Sequence, residues 1–368
     1  MSETISEIIR AEIGAHGPMP FRRFMELALY HPTLGYYGSG RARIGRKGDF
    51  FTNVSVGPIF GRLLALQVSE MWTFLGSPAE FSIAEQGAHE GHLAADLLGG
   101  LREFAPECLA ATTYRIVEPL AVLAAGQRER LAAWGSRVRW TASLAETEIG
   151  TGVHLSNELP DAFPVHLIVL TREGWRERMV IAERGRFAFV DGPLGSEALR
   201  RACAQIPGPL PEGYVTEVNL AARDWIGDVA ARLRRGFVLA VDYGFSREDY
   251  YAPSRTSGTL AACANHRRES DPLARPGEID LTAHVDFTSL IEAGESAGLR
   301  MLGFTDQHHF TVGLGLRHFA DGRNANERRA FQTLMHPEFM GQAFKAVCFA
   351  KGLESLPSLS GFRFGGHP

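Results

Sequence analysis

Phe81-Ser-Ile-Ala-Glu-Gln-Gly-Ala-His-Glu-Gly-His-Leu-Ala-Ala-Asp-Leu-Leu98 reads as an apolar strand closed by Glu85, a turn built on Gly87 and Gly91, and the opening of a helix. In an α/β sheet such a turn lies at the carboxyl end of a strand. There the helix N-terminus offers unpaired backbone N–H groups and the positive end of its dipole to a ligand. The stretch therefore predicts a cofactor cradle. Gly87 permits the turn, and Gly91 lets the first helical residues approach both ligand and sheet with no Cβ between. No Gly-Lys-Ser/Thr follows, which excludes the phosphate loop of kinases and ATPases, and His89 stands where the dinucleotide fingerprint has its middle glycine.

Working outward, Tyr114-Arg-Ile-Val-Glu-Pro119 repeats the pattern of a short strand tipped by a carboxylate. An acidic residue at the end of the second strand of a Rossmann-type sheet accepts hydrogen bonds from ribose hydroxyls, and Glu118 has that place. A surface carboxylate capping the helix 120–133 is the plainer alternative. A third strand is expected at 137–140, followed by Ser143 and Leu144 at a position that borders an adenine. Residues 151–166 read as a fourth strand breaking into a polar loop, so Asn157, Glu158 and Asp161 arrive where strand ends gather. The spacing predicts an amphipathic helix over 220–235, stopped by Gly236, and then an apolar strand ending in Asp242.

Around this α/β core the chain carries additions. Two short helices are expected over 4–15 and 20–29, then the turn His31-Pro-Thr-Leu-Gly-Tyr-Tyr37, and then a glycine-rich loop ending Gly48-Asp-Phe-Phe-Thr-Asn53. Asp49, Thr52 and Asn53 are placed to meet a ligand, with helix capping the alternative for Asn53. Residues 1–75 are thus read as a helical extension with its loop, and 76–352 as the main domain. That domain carries an insertion over about 167–219, with a hairpin of 175–181 and 186–190, and a lid over about 245–280 bearing His266. Asp280 opens a helix reaching about residue 297, strands are expected at 301–304 and 343–350, and 353–368 is a loosely ordered tail.

Composition narrows the function classes. The 368 residues, 45% hydrophobic and 22% charged, supply a sizeable core, and a formal net charge of -4 gives no reason to expect a nucleic-acid surface. The four cysteines are widely separated, without paired zinc spacing or a dense disulfide pattern, which suits a reducing compartment. His89 and His92 lack the helical zinc-protease spacing, so no metal is expected. With no secretory signal, transit peptide or membrane span visible, the expected location is the cytoplasm.

Taken together, these blocks resemble the MidA-like family of S-adenosylmethionine-dependent methyltransferases, which includes a mitochondrial arginine methyltransferase of respiratory complex I assembly. The resemblance covers most of the chain. It rests on residues 31–37, 48–52, the cradle, Val117-Glu-Pro119, Asn157-Glu-Leu-Pro-Asp-Ala162, Asp242-Tyr-Gly244, Gly258-Thr-Leu260 and Asp280-Leu-Thr-Ala-His-Val-Asp-Phe287. It implies a Rossmann-like seven-stranded methyltransferase sheet with an N-terminal helical extension and inserted substrate-cleft elements.

By position it implies S-adenosyl-L-methionine held by Gly48, Asp49, Thr52, Glu85, Gly87, Gly91, Glu118, Pro119, Ser143, Leu144, Asn157 and Glu158. Glu85 would orient the first loop. If the acceptor is arginine, Glu158 and Asp161 would clamp its guanidinium, with Asp242 or His266 helping to remove a proton. The family loop runs acidic, apolar, Gly, Pro, Gly, basic, Gly, and here a glycine and the basic residue are missing. A protein substrate, in a respiratory complex or elsewhere, and a homodimer are the expected partners, with no nucleic acid. Two rival readings are an assembly or scaffold protein that has lost catalysis, and a nicotinamide-dependent oxidoreductase, which the broken fingerprint opposes.

Overall fold

The computed structural model describes residues 4–40, 53–264, 267–319, 325–336 and 340–366. Gly48, Asp49, Thr52 and His266, all candidate site residues, lie outside them. The chain forms two compact units, one of residues 51–159, 225–244 and 289–368, the other of residues 1–50, 160–224 and 245–288.

The first unit is built on a sheet whose path has seven strands: β1 (Phe81–Gln86), β2 (Thr112–Val117), β3 (Val138–Thr141), β4 (Gly150–Asn157), β5 (Leu233–Phe245), β6 (Arg300–Asp306) and β7 (Phe344–Lys351). Their order is β6-β7-β5-β4-β1-β2-β3. The pairs β1–β2, β2–β3, β1–β4 and β4–β5 are parallel, and β7 runs antiparallel to both its neighbours. This is the expected α/β methyltransferase sheet. Chain order reverses at β1, with β2 and β3 to one side and β4 to the other, which opens a switch point between the carboxyl ends of β1 and β4.

The helix Ile59–Phe74 buries Leu63, Leu64 and Val68 in the same core as Leu97 and Leu101 of the helix His92–Phe104. The expected extension over 1–75 is therefore divided, because that apolar face needs the sheet's core and not the helices before it. The tail is likewise packed and not loose through the described residues. Leu359 and Phe362 are buried, Glu70 accepts from the Ser360 N–H and hydroxyl, and Gln67 accepts from the Gly361 N–H.

The second unit joins the N-terminal helices Ile5–His16 and Phe21–Tyr30 to the inserted segments. Thr4 and Glu7 close a capping box on the first helix, as a Thr-x-x-Glu pattern predicts. Phe21 and Phe24 of the second pack on Phe189 and Phe187 of the insertion hairpin, Gly174–Glu183 with Arg186–Gly192. Tyr36 is buried and Tyr37 donates to Asp280, so these two aromatics are packing elements.

Part of the segment read as a lid is paired strand among the described residues. Ala261–Ala264 pairs with Arg267–Glu269 and with Asp280–Thr282. The helix expected from Asp280 accordingly starts later, at Phe287, because residues 280–282 have already paired as a strand. The Glu217 carboxylate, on the strand Val215–Val218, is enclosed and accepts from the Thr259 and Leu260 N–H groups, the Thr259 hydroxyl and the Tyr250 hydroxyl. Gly258 has φ +69, and a Cβ there would stand 2.2 Å from Glu217 Oε1. The Thr259 hydroxyl oxygen also accepts from the His284 N–H. Two blocks of the resemblance, 258–260 and 280–287, thus meet around one buried carboxylate.

Candidate functional site

In the sheet unit the parallel strands deliver their last residues to one edge. Gly87, just past β1, has φ +81, which favours glycine, and a Cβ there would crowd the Leu159 Cβ at 3.1 Å. Gly91, at φ +78, precedes the helix His92–Phe104 and would carry its Cβ against Gln127 at 3.4 Å. Between them His89 adopts φ +44, and burial pushes its imidazole down to about 4, leaving it neutral at ordinary pH. The expected middle glycine is replaced by a side chain that tolerates the left-handed region more readily than most. His92 meets the Glu90 carboxylate at 3.2 Å.

Glu118 follows β2 with 8% of its surface exposed. One carboxylate oxygen accepts from the Leu120 N–H at 2.9 Å, just before the next helix, and the other accepts from the Gln127 amide at 2.9 Å. Burial raises its pKa, and these two donors oppose that rise. Each oxygen of a carboxylate has two acceptor positions, so among the described residues one remains on each oxygen. Two free acceptors on neighbouring oxygens match the two hydroxyls of a ribose.

Pro119 is exposed beside it. Ser143 precedes a short 3₁₀ turn, Leu144–Glu146, in which Leu144 is buried.

At the end of β4, Asn157 donates to Glu158 Oε1 at 2.9 Å, and Asn53 donates from its amide to Asn157 Oδ1 at 3.2 Å. Glu158 has φ +53, and its N–H donates to the Val241 carbonyl of β5. A non-glycine residue held in that region at a strand end is strained and is held by its surroundings. Asp242, the next residue on β5, is enclosed and accepts from the Tyr243 N–H at 2.7 Å. The sheet therefore gathers Gly87, Asn157, Glu158 and Asp242 at its switch point, with Glu118 one strand further along.

Glu85 is enclosed within this unit, and among the described residues its hydrogen-bond partner is the Tyr114 hydroxyl on β2, not the loop it was expected to orient. Burial pushes its carboxyl up to about 7.

Asp161 lies in the other unit, where its carboxyl is also pushed up to about 7, first by burial and then by the neighbouring Asp280. Asp280 in turn accepts from the Tyr37 hydroxyl at 2.9 Å.

Gln127 and Trp140 carried no expectation, and Asn53 was set between ligand contact and capping. Gln127 alone left a trace in the pattern. It occupies a buried position in line with Ala124 and Leu131, spaced three and four residues apart, where an apolar residue is the ordinary occupant.

Residues 63–305 match a family model described as "Putative S-adenosyl-L-methionine-dependent methyltransferase". A crystal structure of a Burkholderia thailandensis protein bound to S-adenosyl-homocysteine is 35% identical, with TM-score 0.86, and the match covers 98% of this chain and 95% of that one. Among curated proteins, the mitochondrial protein arginine methyltransferase NDUFAF7 of Homo sapiens is 28% identical over 90% of this chain and 80% of its own length. Its Drosophila melanogaster homologue is 28% identical over 95% and 85%. These relatives are named mitochondrial, which overturns the cytoplasmic expectation. Cysteines outside any disulfide, with Cys108, Cys203 and Cys348 buried, suit any reducing compartment and do not separate the two locations.

Proposed function

The chain belongs to the S-adenosyl-L-methionine-dependent methyltransferase family, and from that premise we propose that it methylates arginine side chains of a protein partner. The observation that carries the reading is the gathering of an acceptor-rich carboxylate, Glu118, a glycine turn at Gly87 and the Asn157–Glu158 pair on one edge of a single sheet. Gly87 and Gly91 suit the methionine and ribose parts of the cofactor, Glu118 suits the ribose hydroxyls, and Ser143 and Leu144 suit the adenine. Gly48, Asp49, Thr52 and Pro119 keep their cofactor assignment from the resemblance alone, whereas Glu85, enclosed against the Tyr114 hydroxyl, does not.

When bound, S-adenosylmethionine supplies a methyl group on a sulfonium that is already strongly electrophilic, so alignment and exclusion of water are the main tasks left to the protein. Glu158 accepts N–H groups of the guanidinium and fixes its plane. The resemblance alone also assigns Asp161 to the guanidinium, and a carboxyl pushed up to about 7 suits it to take a proton at neutral pH. Asp242 and His266 are further candidates for that proton. The arginine methyltransferases among the relatives support a protein acceptor, and a respiratory-complex subunit is the class the resemblance implies. A homodimer belongs to the same reading and is checked by light scattering.

The test is incubation of the purified chain with methyl-labelled cofactor and a lysate of its host, followed by hydrolysis of the labelled protein. Methylarginine is expected. Label confined to another residue type contradicts the acceptor assignment.

A further inference from the structure

We propose that Gln127 is a positioning residue for cofactor binding, acting through Glu118. The inference rests on the methyltransferase reading above and on the assignment of Glu118 to the ribose.

Gln127 is completely enclosed. Its amide nitrogen donates to the His89 carbonyl at 2.7 Å and to Glu118 Oε2 at 2.9 Å, and its amide oxygen accepts from the Trp140 indole N–H at 3.0 Å. The identity of each partner fixes which way the amide faces. The indole can only donate, while the carbonyl and the ionised carboxylate can only accept, so a flipped amide would lose all three bonds. One side chain therefore ties together the turn after β1, the carboxylate after β2 and strand β3.

The consequence falls on Glu118. With the Leu120 N–H on one oxygen and Gln127 on the other, the carboxylate is held by both oxygens and cannot rotate about its terminal bond. Its two remaining acceptor positions are aimed before any ligand arrives, which lowers the ordering that binding would otherwise require. The Gln127 donor also favours the ionised form of a carboxyl that burial pushes the other way. A leucine at 127 would fill the same space and leave Glu118 anchored by one oxygen only.

The experiment is calorimetric titration of S-adenosylhomocysteine into the wild-type chain, Gln127→Leu, Glu118→Ala and the double variant, each over a range of pH. Gln127→Leu is expected to weaken binding tenfold or more. In the Glu118→Ala background the same substitution is expected to cost less than threefold. The acid limb of the affinity profile is expected to move to higher pH in Gln127→Leu, a change that a merely structural role would not produce.

Should Gln127→Leu fail to fold, Trp140→Phe removes the donor that orients the amide. It is expected to give a smaller loss that again vanishes without Glu118. Equal losses in both backgrounds, or no loss at all, overturn the inference while leaving the methyltransferase reading intact. Failure of the wild-type chain to bind overturns both.

Discussion

The Tyr114 hydroxyl on β2 donates to Glu85 on β1 across 2.7 Å of enclosed sheet interior. Burial, the dominant influence, pushes this carboxyl up from its ordinary 4.5 to about 7, and the single hydrogen bond only partly offsets it. A carboxyl with a raised folded-state pKa contributes its stability below the unfolded value, near 4.5, and loses it as pH climbs through about 7.

Glu85→Gln keeps an acceptor for Tyr114 without the charge. Relative to wild type it should therefore gain about 2 to 3 kcal/mol of stability between pH 5 and pH 8, from one pKa unit being 1.36 kcal/mol. Denaturant unfolding at both pH values checks this, and parallel behaviour of the two proteins would contradict it.

Gly258 sits under Glu217 at φ +69, with no room for a Cβ. Gly258→Ala should cost at least about 2 kcal/mol, combining the left-handed penalty with displacement of a buried, fully bonded carboxylate. Thermal unfolding measures it, and an unchanged melting temperature would mean that the turn has another conformation available.

Glu158→Gln and Asp161→Asn should each reduce methyl transfer on the order of a hundredfold, and Asp161→Asn should leave S-adenosylhomocysteine affinity within about twofold. Because Asp161 is pushed up to about 7, it becomes an anion as pH rises through that value. KM for a cationic acceptor peptide should accordingly fall between pH 6 and pH 8, and Asp161→Asn should flatten that fall. Full activity in both variants would discard the clamp.

The parallel core was legible because its strands carry short apolar runs tipped by carboxylates and followed by glycine turns. Gly87, Glu118 and Asn157 could be placed at strand ends for that reason alone. What the pattern hid was long-range partnership. Nothing in local spacing ties Gln127 to His89, Glu118 and Trp140, since those bonds exist only after the helix has docked. Residues 280–282 were misread for a related reason, because their strand partner lies at 261–264, across a segment whose glycine and charge suggested a loop. Glu85 gave the same sequence signal as Glu118, an acidic strand end. It lies within the strand and not beyond it, and that one step turned it into the sheet and toward Tyr114.

The decisive measurement is isothermal titration of S-adenosylhomocysteine into the purified wild-type chain and into Glu118→Ala. One site per chain is expected, weakened by about 1 to 3 kcal/mol in the variant through the lost charge-assisted hydrogen bonds. No heat at saturating ligand in the wild type, or identical affinity in the two proteins, would contradict a cofactor held at the edge where β1, β2 and β4 end.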